Sequence, residues 1–421
     1  MGYRIRKLDI KTKKQGLDEF AKIGSTAAGQ VIMVNKIFPL ALKVKGLNPR
    51  GADILKQEML ARNGDVVTSR DNLIQLEGLV DVIILGTEKS MKSLADKIKV
   101  QPFGLKKLST EIIEYIDFLN KGQATSIYKA GKKIIDIKKE SPLIMGILNV
   151  TDDSFYDGGK YFNEKDIRQR IDAIISEGAG IIDIGGMSTR PGSKPVSIEI
   201  ELSRVLPPIK YAREAIDARL KDNNFYKNNI LISCDTYRHE VAIEAVANGA
   251  DIINDISGLT FDDNMAAAVS DLGAGLIIMH IKGTPENMQE NPVYENLIDE
   301  IYDFLYLQAD YAKQAGINSQ SIIIDPGIGF GKTLEHNLYI IQRLKDFRNM
   351  GYPVLAGASR KSFIGALLGK EKGKPAPAGQ RLEGSIAAAV YSFINGANIL
   401  RVHDVAQTVN ALKIAAAIKN I

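Results

Sequence analysis

The sequence predicts an α/β protein, a parallel (β/α)8 (TIM) barrel preceded by a smaller α/β N-terminal domain, and three observations carry that expectation. From residue 143 onward, short β-rich apolar runs alternate with amphipathic helical segments. Eight such runs occur before the chain ends at residue 421, the count and length of a barrel. Before them lies a shorter α/β pattern, set apart by the polar, Lys-rich stretch KAGKKIIDIKKESP. A doubly wound open sheet would use fewer strands and place a nucleotide loop after the first. The boundary is therefore put near Pro142, with residues 1–140 as the N-terminal domain and 141–421 as the barrel.

In the N-terminal domain the expected strands are 31–37 (VIMVNKI) and 81–86 (DVIILG). Helices are expected near 50–62, 88–99 and 106–119, the last with Leu108, Ile112, Ile113, Ile116 and Leu119 at helical spacing. The barrel strands are expected at 143–150, 181–186, 230–236, 251–257, 275–280, 322–327, 353–359 and 397–403. Helix-length stretches such as 165–177, 238–248, 294–315, 334–347 and 383–395 lie between them.

Composition narrows the function. At 421 residues and 45% apolar content the chain can bury a large core. No stretch approaches the ~20 apolar residues of a membrane span. The N-terminus lacks the apolar segment of a signal peptide, so a cytoplasmic location is expected. A single cysteine excludes a disulfide framework and a Cys-rich zinc site, and four scattered histidines disfavour a His-built metal cluster. Residues 1–142 carry 26 Lys+Arg against 16 Asp+Glu, a balance of +10, and the remainder 28 against 34, a balance of −6. The lysines are spread out and no base-stacking platform is evident, so no nucleic-acid partner is expected.

Each of the eight runs ends in, or is followed by, a polar residue: Asn149, Asp183, Asp235, Asn254, His280, Asp325, Ser359, and Arg401 with His403. Burying such groups without partners costs about 1–3 kcal/mol each. In a parallel barrel these ends converge on the face where barrel active sites are built. Asp235, Asp325 and Asn254 suit the edge of a planar heterocycle bearing amide and amine groups. Arg401 could lie on such a ring, and Asn149, Arg190 and His403 suit phosphate oxygens, with or without Mg²⁺. GIGFGKT at 327–333 is not a phosphate loop, because Pro326 stands where the first glycine is needed, and its glycine spacing fails the dinucleotide fingerprint. Cys234, in mid-strand, reads as a core residue. The segment 358–365 (ASRKSFIG) reads as a strand end entering a helix, where Ser359 or Ser362 could meet an anion.

From about 143 to 421 the chain resembles the dihydropteroate synthases. The resemblance rests on MGILNVTDDSFYDGG, GAGIIDIGGMSTRPGS, SCDT, GADIINDISG, IIMHIKGTPENMQ, DPGIGFGKT, AGASRKSFIG, RLEGSIAAA and RVHDV. It implies condensation of 6-hydroxymethyl-7,8-dihydropterin pyrophosphate with 4-aminobenzoate, giving dihydropteroate and pyrophosphate for folate. It assigns Asp235, Asn254, Asp325, Lys361 and Arg401 to the pterin, and Asn149, Arg190, Arg401 and His403 to pyrophosphate. Asn149 is the implied Mg²⁺ residue. Thr189, Pro191, Phe330 and Ser362 border the aminobenzoate, and Lys361 lies beside it. Phe155, Asp157 and Ser188 fall in two mobile loops. Asp183, Asp235, Lys361 and Arg401 are the residues expected to carry the chemistry, without a covalent enzyme intermediate. A homodimer through helices late in the barrel is implied as well.

Two positions depart from the family pattern: Asp152 stands where Pro is usual, and Met187 where Glu is usual. A methyltransferase acting on a reduced pterin would share the Asp and Asn contacts. It would not need the loop Arg190 or the SRKSF segment. A non-catalytic pterin-binding protein would have no use for Asn149, Arg190, Lys361, Arg401 and His403 together. The N-terminal domain carries no assignable activity and reads as a structural cap first, or else as an oligomerisation arm or a partner-binding element.

Overall fold

The computed structural model describes residues 3–70, 78–121, 127–131, 133–137, 141–151, 163–190, 192–220 and 230–419. The chain forms two compact units that divide between Gly122 and Gln123.

The first unit is a three-stranded antiparallel sheet, β1 (Leu40–Leu47), β2 (Asp65–Val67) and β3 (Val80–Gly86), in the order β1-β3-β2. Helices Pro49–Leu60, Glu88–Ile98 and Leu105–Asn120 bury Leu55, Met59, Leu94, Ile98, Leu105 and Ile116 against it. The expected strand at 31–37 is absent: Ala27–Val34 is α-helix and Asn35–Ile37 a 3₁₀ turn. Thr26 starts that helix by accepting from the Gly29 amide, and an apolar run this short fits either element. The overlooked strands are β1, where Leu40, Leu42 and Val44 alternate toward the core, and the short β2.

The second unit is the barrel. Its eight parallel strands are β6 (Leu143–Asn149), β7 (Ile181–Gly185), β8 (Leu231–Asp235), β9 (Ile252–Asp255), β10 (Gly275–Met279), β11 (Ile322–Asp325), β12 (Leu355–Ala356) and β13 (Ile399–Val402). They pair in the order β11-β10-β9-β8-β7-β6-β13-β12, and a bridge from Ile324 to Val354 closes the ring. All eight expected strands are present. Helices cover the outer face on a core that includes Ile182, Ile184, Ile232, Ile278, Ile324 and Leu400.

Side-chain alternation explains how the interior is layered. Met145, Ile181, Leu231, Ile252, Ile277, Ile323, Leu355 and Ile399, one from each strand, form an apolar floor. Two residues further along, the strands offer Asp183, Ser233, Asn254, Asp325 and Arg401 instead. A hairpin, β4 (Ile127–Ala130) and β5 (Lys133–Asp136), packs against this floor through the buried Tyr128 and Ala130, followed by Ile137. Asp251 ties it down by accepting from Lys133 Nζ (2.9 Å), Arg213 Nη2 (2.7 Å) and the Ile232 amide (2.9 Å). The boundary read near residue 140 falls after this hairpin, whereas its apolar side belongs to the barrel's own core. Tyr128→Ala is expected to cost the barrel about 3–5 kcal/mol, as other large buried aromatics do. Urea denaturation measures it, and a loss under 1 kcal/mol would mean the hairpin merely rests on the barrel.

Candidate active site

The polar ends of the strands meet in a cavity of about 890 Å³ at the C-terminal mouth of the barrel. Asn149, Thr189, Arg190, Phe330, Ser359, Lys361, Ser362, Arg401 and His403 all border it. Asp183, Asp235, Asn254 and Asp325 are buried and do not themselves line it; Asp183 and Asp235 are joined to it through Arg401.

Arg401 organises these buried groups. It donates through Nε to Asp183 Oδ2 at 2.6 Å and through Nη2 to Asp235 Oδ2 at 2.7 Å. Asn254 Nδ2 reaches Asp183 Oδ2 at 3.5 Å, and Asp183 Oδ1 is buried without a partner among the described residues. Burial raises the Asp235 carboxyl to about 7 despite Arg401, with Asp183 opposing its ionisation. Burial also raises Asp325, against the pull of Lys361 and the Gly327 amide, which donates to its Oδ1 at 2.7 Å. These groups present acceptors and donors side by side, and a buried site of this kind rejects a ring lacking the complementary groups.

Lys361 lies across the mouth. Its Nζ donates to the Ile328 carbonyl and sits 4.4 Å above the Phe330 ring. Burial lowers its ammonium to about 7, offset by Asp325. Ser362 opens the helix Ser362–Gly369, so its amide lies at the positive end of a helix. His403 Nδ1 is 3.0 Å from Ser359 Oγ, and burial with the neighbouring Arg401 lowers its imidazole to about 3. At neutral pH His403 is therefore an uncharged hydrogen-bonding group, not the cation that phosphate binding first suggests.

The second loop is described except at Pro191. Thr189 and Arg190 reach the cavity, while the Ser188 carbonyl accepts from Ser193 Oγ at 2.6 Å. Pro191, Phe155, Asp157 and Asp152 lie outside the described residues. Met187 is buried beside the loop, and its sulfur accepts from the Tyr237 hydroxyl at 3.6 Å. Cys234 is buried in β8 and its thiol is pushed well above the usual range, as a core residue requires. Met288, Arg360 and Arg381 also border the cavity and were not singled out from sequence. Neither was Lys332, buried just behind Phe330. Only its position in a glycine-rich turn directly after a strand end hinted at it.

Comparison with known proteins agrees with this geometry. The sequence profile of the family described as Pterin binding enzyme matches residues 145–403. The chain is 42% identical over 291 residues to the dihydropteroate synthase of Haemophilus influenzae, covering 69% of this chain and 98% of that protein. It is 40% identical over 288 residues to the Synechocystis dihydropteroate synthase, covering 68% and 93%. Among solved structures, the Xanthomonas albilineans dihydropteroate synthase with 4-aminobenzoic acid superposes with a TM-score of 0.62 at 36% identity, over 71% of this chain and all of that one. The same enzyme in complex with 7,8-dihydropteroate gives 0.59 at 34% identity, over 70% and 99%. Among the described residues, no helix is long and apolar enough to cross a membrane. With a family match that runs from β6 through β13 and relatives at about 40% identity over two thirds of its length, the chain belongs to the dihydropteroate synthases, a family of pterin-binding enzymes.

Proposed function

We propose that the mouth residues of this chain divide one substitution reaction among themselves. The chain is a transferase that joins the methylene of 6-hydroxymethyl-7,8-dihydropterin pyrophosphate to the amine of 4-aminobenzoate, a step of folate synthesis. The C–O bond to pyrophosphate breaks, a C–N bond forms, and the attacking nitrogen loses one proton. An arylamine is uncharged at neutral pH, so its nitrogen needs no strong base to become a nucleophile.

The observation that carries the division of roles is the Asp183–Arg401–Asp235 arrangement at the barrel mouth. Asp235, Asn254 and Asp325 hold the pterin edge, and Lys361 closes over it. Arg401 lies on the pterin ring and reaches the pyrophosphate. Positive charge that develops on the pterin as pyrophosphate leaves is offset by Asp183 and Asp235, fixed in place beforehand. Arg190, Arg401 and neutral His403 take up the leaving group. Thr189, Pro191, Phe330 and Ser362 border the arylamine.

Mg²⁺ fits one position. Asn149 ends β6 with its carboxamide at the cavity and no hydrogen bond to another described residue. Such a lone oxygen suits an ion held mostly by pyrophosphate and water. There Mg²⁺ would neutralise charge on the leaving group.

We also propose a cytoplasmic homodimer. The helix Val405–Lys419 buries Val405 and Leu412 against its own barrel but exposes Ile414 and Ile418, a face open to a second copy. Sedimentation showing a single-chain mass at micromolar concentration would exclude the dimer.

Pyrophosphate release tests the reaction itself. Release is expected only when the dihydropterin ester, Mg²⁺ and 4-aminobenzoate are all present, with dihydropteroate as product. Tight binding of the ester without release would place the chain among non-catalytic pterin binders. Absence of binding would overturn the assignment.

A further inference from the structure

The 327–331 loop turns through three glycines at positive φ, Gly327 (69°), Gly329 (86°) and Gly331 (63°). A Cβ at Gly327 would collide with the His280 carbonyl, so the loop is pressed against the end of β10. Four consecutive carbonyls of this loop each meet a different side chain. Ile328 O accepts from Lys361 Nζ, and Gly329 O from Gln289 Nε2 at 2.8 Å. Phe330 O accepts from Lys332 Nζ at 2.9 Å, and Gly331 O from the Tyr294 hydroxyl at 2.8 Å.

Lys332 is the unusual member of this set. It is 2% exposed, and no carboxylate lies within ion-pairing distance of it among the described residues. Its Nζ donates to Phe330 O and lies 3.0 Å from His280 Nδ1 and 3.4 Å from His280 O, and burial pushes its pKa well below the usual lysine range. His280 is buried and stays neutral, and with Lys332 Nζ as donor to Nδ1 the ring proton is assigned to Nε2. A buried amine without a carboxylate is costly, and an apolar side chain would fill the same space at less cost. Geometry, not stability, is what this amine contributes.

We infer that Lys332 is a positioning residue for the arylamine half of the reaction, fixing the Phe330 wall of the cavity from behind through the Phe330 carbonyl and His280. The inference rests on the synthase reading above. Phe330 borders the cavity with Met288, its ring under the Lys361 ammonium. On the pterin side Asp325 takes its hydrogen bond from the Gly327 amide and none from Lys332, which acts on it only through longer-range charge, secondary to Lys361. Loosening Lys332 therefore displaces the arylamine wall before it disturbs the pterin contacts.

Steady-state kinetics with both substrates, together with calorimetric binding of the dihydropterin ester, test this. Lys332→Met is expected to raise KM for 4-aminobenzoate at least about tenfold while the Kd for the ester stays within about threefold. His280→Leu removes the acceptor that orients the amine and should show the same split. His280→Asn, whose carboxamide oxygen replaces Nδ1 as acceptor, should return KM to within about threefold of wild type. An unchanged KM in Lys332→Met, or equal rises in KM and Kd, overturns the inference. If Lys332→Met does not fold, the His280 pair decides, and identical behaviour of the two His280 variants overturns it. A wild-type chain that fails to turn over would show itself before any variant is compared. It would remove the synthase reading and this inference with it.

Discussion

If Arg401 acts as proposed, replacing it with methionine lowers kcat by about 10³-fold, the upper range for removing one preorganised group that stabilises developing charge. Arg401 is the sole ion-pair partner of Asp183 and of Asp235 among the described residues. The substitution therefore leaves two buried carboxylates uncompensated. Breaking a buried pair in this way costs about 3–5 kcal/mol.

The stability loss has a defined pH dependence. Asp235 already sits at about 7 with the guanidinium in place, and removing Arg401 raises it further. In the unfolded chain an aspartate titrates near 4. Over the interval between, the folded variant holds a proton that the unfolded chain has released, so stability falls as pH rises. The deficit relative to wild type should be smaller at pH 5.5 than at pH 8. Thermal denaturation at both pH values measures it, and an equal deficit at both would show that Arg401 does not control the ionisation of Asp235.

The second large effect is in the pH profile of kcat/KM for the dihydropterin ester. In the proposed mechanism Asp235 accepts from the pterin edge in its ionised form, and it loses that form as pH falls through about 7. Lys361 must carry its proton to donate, and it loses that form as pH rises through about 7. A bell centred near neutrality follows, because kcat/KM reports the free enzyme. Asp235→Asn should abolish the acid limb and lower kcat/KM by about 10²-fold, the loss of one charge-assisted hydrogen bond with a donor now facing donors. Lys361→Met should abolish the alkaline limb. A profile that keeps its acid limb in Asp235→Asn would assign that limb to another group, with Asp325 the next candidate since burial raises it too.

Most of the barrel was legible because a strand buried on both faces must be written as a near-continuous apolar run. The polar residue that interrupts each run marks where burial ends and the mouth begins. Asp183, Asp235, Asn254, Asp325 and Arg401 were found in this way. The run at 31–37 misled for the same reason, since its hydrophobicity is equally compatible with the helix Ala27–Val34. The hairpin that closes the floor was hidden within a Lys-rich stretch, where the buried face of Tyr128, Ala130 and Ile137 is short and broken by charge.

The sequence by itself determined the alternation of strand and helix and the polar residues at the strand ends. Those depend on local pattern, on how many apolar residues can be buried and which groups tolerate it. Only the tertiary structure decided that Arg401 is shared between Asp183 and Asp235, and that His403 is neutral. It alone brought Lys332 behind Phe330 with His280 as its partner. These relations join residues from separate strands, and no spacing along the chain encodes them. Ring closure brings the strand ends together, and burial then sets their charge.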